Sequence, residues 1–311
     1  MKKIVCLLLS LGMFLIPTHA TASDEMTMVT GSQTGTYYQI GLDIRKLLYP
    51  ELKLTILASP GAFVNLLAMG YQNIPLGIIQ FDVLDSLLIG SDDVTLRGLA
   101  QSIRVIFPLY NEEIHLLVSS EIKQLSDLNG KSVAIGNEGS GTSLTVPLLL
   151  KALDIKPSKQ SKMGGGDAIN ELRAGNIDAM FFVVGAPASL FQTQIKADDK
   201  FHLLPITADL GDTFSAATIP AGTYAWQKTA VKTVAIKAFL VTKAFQLSSP
   251  ECPKIGFLAR SMYKQLDELK KTGHSKWKNV DFDYDTLLKH RALSICALQE
   301  LKRAKLEETS Q

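Results

Sequence analysis

The chain has 311 residues, 46% hydrophobic and 20% charged, with 32 Lys and Arg against 30 Asp and Glu. That near-balance, without any basic run, excludes the electrostatic footprint of a nucleic-acid-binding protein. The length suits two domains of ordinary size, each with enough apolar residues for its own core.

The first segment has the pattern of a targeting peptide. Lys2 and Lys3 precede an apolar run from Ile4 to Ile16, which Pro17 breaks, and Ala20-Thr21-Ala22 has the form of an export cleavage site. The run is too short for a bilayer span, which takes roughly 20 residues. Residues 1–22 are therefore expected to be a signal peptide cleaved near Ala22, and the remainder an exported, periplasmic, soluble protein. An uncleaved anchor is the weaker alternative. Cleavage removes two lysines and no acid, which balances the charge. It leaves Cys252 and Cys296, and an even count in an exported chain favours a disulfide between two C-terminal helical segments. Two buried thiols are the alternative.

Met26 to Thr30 reads as a strand. The loop Gly31-Ser32-Gln33-Thr34-Gly35-Thr36-Tyr37-Tyr38 follows, and Tyr37, Ile40, Ile44, Leu47 and Leu48 then recur at helical spacing. Leu52, Leu54, Ile56 and Ala58 alternate as in a half-buried strand, and Ser59-Pro60-Gly61 is a turn. Phe63 to Met69 reads as a short helix closed by Gly70. Leu76 to Ile79 is the next strand, with Gln80-Phe81-Asp82 at its carboxyl end. This βαβαβ order predicts an α/β protein with a mainly parallel sheet covered by helices on both faces.

The pattern repeats beyond a crossover, where Val105 to Tyr110 and Ile114 to Val118 read as strands. Ser132 to Ile135 is a strand before the second loop, Gly136-Asn137-Glu138-Gly139-Ser140-Gly141-Thr142. If Thr142 caps the following helix, Pro147 lies beyond its first turn and removes one hydrogen bond, so that the helix starts later or bends. Met163 to Asp167 reads as a flexible lead-in, with Asp167 capping a helix from Ala168 to Ala174 that Gly175 ends. Ile177 to Val184 is a buried strand, Gly185-Ala186-Pro187 a turn and Leu203 to Thr207 a return strand. Beyond Thr223 the chain reads as more helical, with Leu266, Leu269, Leu287, Leu288 and Leu298 as core positions.

Ligands of open parallel sheets bind at the carboxyl ends of strands. Loops 31–38, 59–62, 80–82 and 136–142 fall there, and Phe181 to Pro187 is expected to join them. A glycine-rich turn feeding a helix start leaves backbone N–H donors without partners, and the helix dipole adds positive potential. Such a site suits a carboxylate. Each loop alone is more often an ordinary turn; the pair, in matching contexts, points to a ligand held between two lobes.

Other chemistries fit poorly. The second loop lacks the lysine of a phosphate-binding loop, and its glycines are wrongly spaced for a dinucleotide site. Ser140 is not in a Gly-x-Ser-x-Gly elbow, because Glu138 occupies the first glycine position. No histidine has metal-ligand spacing, and His115 in an apolar strand reads as a core or hinge residue. No metal, cofactor or catalytic residue is expected. Asp82, Asp85 and Glu138 are the candidates for acid/base work and read more readily as solvated or capping carboxylates.

The order of these motifs resembles the TAXI family of TRAP-associated extracytoplasmic receptors. The matching pieces are Thr30 to Tyr38, Ser59-Pro60-Gly61 through Asn65, Ile79 to Val83, Asp127 to Gly136 leading into Gly139 to Thr142, Asp178 to Phe182 leading to Gly185-Ala186-Pro187, and Gly273 to Trp277. The resemblance implies a two-lobed periplasmic binding protein of the type II fold that delivers a small carboxylate or amino acid, glutamate-like, to a TRAP permease. It implies a first lobe of residues 23–112 plus 210–311 and a second of 113–209. It also implies a cleft lined by Gly31, Ser32, Gln33, Thr34, Gly35, Thr36, Tyr37, Tyr38, Asn65, Gln80, Asp82, Gly139, Ser140, Gly141, Thr142, Phe182 and Gly185. With no Arg or Lys in these loops, helix starts and hydroxyls would hold a carboxylate, and Asp82 or Glu138 would meet an ammonium. The segment 58–62 departs from the usual Thr-Gly-Gly-Ser form, and Pro60 has no N–H to offer there. A periplasmic enzyme on the same scaffold, acting on a small anion, is the alternative function; a receptor without a transporter partner is a third.

Overall fold

The computed structural model describes residues 25–211, 213–283 and 293–310. The targeting segment and the expected core positions Leu287 and Leu288 lie outside them. The first half runs β1 (Glu25–Val29), α1 (Thr36–Leu48), β2 (Lys53–Leu57), α2 (Ala62–Tyr71), β3 (Leu76–Gln80), α3 (Phe81–Gly90) and α4 (Val94–Ser102). A long strand, β4 (Ile103–Ser119), leads into β5 (Ser132–Ala134), α5 (Gly141–Ala152), β6 (Lys159–Ser161), α6 (Gly165–Ala174), β7 (Ala179–Val184), α7 (Ser189–Gln194), β8 (Phe201–Leu203) and β9 (Ser215–Ile219). A second long strand, β10 (Val231–Lys243), returns to α8 (Glu251–Lys264), α9 (Leu266–Thr272) and α10 (Ile295–Thr309).

One curled sheet connects everything, in the order β2-β1-β3-β10-β4-β7-β5-β6, with β8 on β4 and β9 on β10. β2, β1 and β3 are parallel, as are β7, β5 and β6; β4 and β10 run antiparallel to their neighbours between these groups. The apolar core divides along the two long strands. Residues up to Tyr110 and from Ala238 onward form one core. Ile114 to Ile236 form two further clusters, and Ile114, Leu116 and Val118 belong to one while Leu117 belongs to the other, as the two-residue period of a strand requires. The β4–β10 register slips between Lys237 and Phe239, beside Pro108 to Asn111, at the point where the cores part. The result is the type II binding-protein architecture, two α/β lobes joined through shared strands.

Local chemistry explains most elements. Ile40, Ile44 and Leu48 are fully buried at four-residue spacing on α1. Gly175, with φ of 75°, ends α6, where Gly175 N–H donates to Leu172 O and Asn176 N–H to Glu171 O. Several expectations are corrected. The two strands expected at 105–118 are one continuous strand. The helical stretch expected beyond Thr223 begins with the thirteen-residue β10. Gly70 lies inside α2, not at its end, and a Cβ there would meet Leu99 at 2.4 Å. Asp167 sits in the first turn of α6 and caps nothing, because the helix starts at Gly165. On α10, Leu301 is buried and Leu298 only half-buried. Cys252 and Cys296 are bonded, joining α8 to α10 across 44 residues. Among the described residues no helix is long and apolar enough to cross a membrane.

Candidate ligand-binding cleft

Two contiguous cavities open where the lobes meet. The larger, of about 250 Å³, is walled by Ser32, Thr34 and Gly35 of the first loop and by Asn137, Ser140 and Thr142 of the second. Gly164 to Gly166, Met180 to Phe182, and Ser189 with Leu190 complete it. The smaller, of about 80 Å³, is lined by Gly31, Thr36, Tyr37, Gln80, Glu112 and Gly141 among others. The two share Ser32, Pro60, Ser140 and Phe182. No Arg or Lys is among these lining residues.

Three helix starts meet here. α1 begins after Gly35 and α6 after Gly164, neither with a side-chain cap, while α5 begins after Ser140, whose Oγ accepts from Ser143 N–H. Pro147 lies within α5, which runs unbroken from Gly141. The lobes touch across the gap. Ser189 Oγ donates to Thr34 O at 2.6 Å, and Val64 N–H donates to Gly139 O at 3.2 Å. Gly61, with φ of +139°, approaches Ser140 so closely that a Cβ on it would stand 3.3 Å from the Ser140 Cα.

Of the residues expected to line the cleft, Gly31, Ser32, Thr34, Gly35, Thr36, Tyr37, Gln80, Ser140, Gly141, Thr142 and Phe182 do so. The others lie behind or beside it. Gln33 is exposed, and its carbonyl accepts from Gln39 Nε2. Tyr38 is half-buried away from the walls. Asn65 is a brace: its Nδ2 donates to Thr30 O and to Ile78 O, and its Oδ1 accepts from Ser59 Oγ at 2.6 Å. Asp82 accepts from Thr145 Oγ1 in the buried contact between α3 and α5. Gly139 faces Val64, and Gly185 packs against Tyr110 and Lys276, each too close to admit a Cβ.

Sequence reasoning missed three features. Gly164 to Gly166, at the start of α6, are wall, not merely lead-in. Glu112, 4% exposed, lines the smaller cavity and accepts from Tyr37 Oη at 2.6 Å. Burial pushes its carboxyl up to about 8, against the smaller lowering by the Tyr37 hydrogen bond. Burial also pushes Asp82 up to about 6. The third feature is a buried linkage beside the cleft. Lys276 Nζ holds Glu113 Oε1 at 2.6 Å and Oε2 at 2.8 Å, and Glu113 also accepts from Ala186 N–H at 2.7 Å. The C-terminal segment is thereby fastened to the strand that crosses between lobes. His115 is a satisfied core residue: Nδ1 meets Glu113 O, Nε2 meets Tyr224 Oη at 2.7 Å, and burial lowers its pKa to about 4. Among the described residues no His, Cys, Asp and Glu cluster has a metal-holding arrangement.

Comparison with known proteins agrees with this architecture. A candidate L-cystine ABC transporter protein from Listeria monocytogenes is similar in fold, with a TM-score of 0.51 and 16% identity over 84% of this chain and 100% of that one. So is a structure from a study of glutathione import via GshT and the cystine ABC importer TcyBC of Streptococcus mutans, with a TM-score of 0.51 and 14% identity over 85% and 99%. At such identities the likeness is one of fold. The sequence itself matches the model of the NMT1-like family over residues 28–293, and the chain belongs to that family.

Proposed function

We propose that this chain is an exported solute-binding receptor that holds a small carboxylate or amino acid, glutamate-like, between its lobes and passes it to a TRAP-type membrane permease. One observation carries the reading: the starts of α1, α5 and α6 converge on a cavity whose described lining contains neither Arg nor Lys. Helix amides and hydroxyls then offset the charge of a carboxylate, without a guanidinium fork. The slip in the β4–β10 register is the proposed hinge. The lobes on this reading are residues 25–110 with 238–310, and 114–236, because Ile219, Tyr224, Val231, Val234 and Ile236 pack in the second core. A ligand touching both lobes shifts the open–closed equilibrium, and the closed form engages the permease. The permease class and the TAXI assignment rest on the order of the sequence motifs, and the periplasmic location on the leader pattern.

The enzyme alternative draws no support from the cleft. Asp82 is turned into a helix contact, and Glu138 is exposed and paired with Lys162. Ser140 Oγ is committed to Asn137 O and to Ser143 N–H.

The test is a thermal-shift and native-mass panel of amino acids and small carboxylates on ligand-stripped protein. A ligand that binds only the folded state adds about 2.7 kcal/mol at a hundredfold excess over its Kd. The expected outcome is a shift with at least one probe, abolished in Gly141→Val with the fold retained. A Cβ at 141 would stand 1.4 Å from Gln80 Oε1, so Val there drives the Gln80 amide into the cleft. No shift with any probe rejects the proposal.

A further inference from the structure

The smaller cavity has chemistry that helix starts do not use. Gln80 and Glu112, 2% and 4% exposed, both line it. Among the described residues Gln80 Nε2 has no hydrogen-bond partner. Glu112 accepts from Tyr37 through Oε2, and among the described residues no hydrogen bond reaches its Oε1. The charged and titratable groups around the carboxylate are Tyr37 on α1, Asp82 on α3, Tyr110 and Glu113 on β4, and Lys276 from the turn at Ser275–Asn279. The Lys276 ammonium is committed to Glu113 and lies over the Tyr110 ring. A buried amide donor and a buried carboxylate acceptor therefore share one small cavity, and among the described residues no cation is paired with the acceptor.

Such a pair complements a group that offers an acceptor beside a cationic donor. We propose that Gln80 and Glu112 form the subsite for the head group of a zwitterionic α-amino acid. The ligand carboxylate accepts from Gln80 Nε2, the ligand ammonium donates to Glu112, and the ligand side chain extends into the larger cavity. This narrows the receptor reading and rests on it. It also moves the ammonium contact from Asp82 and Glu138, which face elsewhere, to a residue on the strand shared by both lobes. Around neutral pH the carboxyl binds a proton in the free protein, and an ammonium drives that proton off.

Isothermal titration with paired probes tests this: L-glutamate with glutarate, L-alanine with propionate, and L-phenylalanine with phenylpropionate. Wild-type protein should bind the amino member of at least one pair roughly 10–100-fold more tightly than its des-amino partner, the cost of leaving charged hydrogen-bonding groups unmatched. Glu112→Gln should erase that preference. Titration at pH 7 in buffers of different ionisation enthalpy should show roughly one proton released by wild type and none by the variant. Equal affinity of wild type for both members of every pair that binds overturns the subsite and leaves the receptor reading standing; this comparison needs no variant. A preference that survives in folded Glu112→Gln overturns it equally. Binding of no probe at all rejects the receptor reading and the subsite together.

Discussion

At the first glycine-rich loop, α1 starts with no side-chain cap, whereas at the second, Ser140 caps α5 through Ser143 N–H at 3.1 Å. The first loop is braced from behind by its own lobe: Asn65 ties Thr30, just past β1, to Ile78 in the middle of β3, and Ser59 N–H donates to Gly31 O at 3.0 Å. The second is braced from both lobes. Val64 donates to Gly139, and Gln80 lies over Gly141. Within its own lobe Val183 N–H donates to Thr142 Oγ1 at 3.1 Å, Met163 N–H donates to Gly136 O at 3.0 Å, and Lys162 pairs with Glu138. On the proposed reading the first loop is set within its own lobe, and no side chain caps the helix-start amides that a ligand would use. The second reaches its full set of contacts only when the lobes come together. Substitutions behind the first loop should act on stability, and substitutions in the second on closure and binding.

The largest effect should come from Asn65→Ala. It leaves the buried carbonyls of Thr30 and Ile78 without their amide donor, and lost bonds of this kind cost about 1–3 kcal/mol each. The expected loss is about 3 kcal/mol, read as a lower urea midpoint with an unchanged slope. A loss under about 1 kcal/mol would mean that the first loop is not held from behind, and the contrast between the loops would disappear.

Both loops, β1, β3 and α1 were legible because periodicity and glycine placement are local signals. What the residues contact was not. Asn65 fits the family motif equally well as a ligand contact or as a brace, and only the packing of β1 against β3 decides. Gly164 to Gly166 have no side chains, so no pattern marks them as wall. β10 did carry a signal that was outweighed: Val231, Thr233, Val234, Ile236, Val241 and Thr242 are β-branched and suit a strand. Its central place in the sheet comes from pairing with β3 and β4, far away in sequence. Glu112 also had a marker. Two adjacent acids in an apolar strand must point to opposite faces, so one of Glu112 and Glu113 had to turn inward; both proved to be engaged.

A pH titration sharpens the same contrast, because each loop helix reaches a buried carboxylate through a hydroxyl: Tyr37 to Glu112, and Thr145 to Asp82. Both acids have raised pKa values in the folded state. The stability they contribute is full below the unfolded value and is lost as pH rises through the folded one. That places the Asp82 window between 3.8 and about 6, and the Glu112 window between 4.5 and about 8. His115 acts in the opposite sense, since its pKa falls from 6.5 to about 4 and stability is gained as pH rises across that interval. Glu112 therefore dominates these three above pH 6.5. Stability should fall by about 2 kcal/mol at most between pH 6.5 and 8. Urea titrations should find this slope flattened in Glu112→Gln and intact in Asp82→Asn, which alters only the lower window. Stability rising across the upper window would remove Glu112 from the α1 contact.

The smallest effect is expected from Ser140→Ala. Its hydroxyl donates to Asn137 O at 2.6 Å and accepts from Ser143 N–H, so both functions serve the loop. Loss of an N-cap of this type costs about 1 kcal/mol, and the denaturation midpoint should fall accordingly. Ligand affinity in the same variant should stay within about threefold of wild type, because the cap leaves the Gly141 and Thr142 amides where they were. A tenfold or larger loss of affinity with only the expected loss of stability would make the Ser140 hydroxyl a ligand contact. The second loop would then resemble the first in offering its groups to the ligand, and its self-capping would be a feature of the ligand-free state alone.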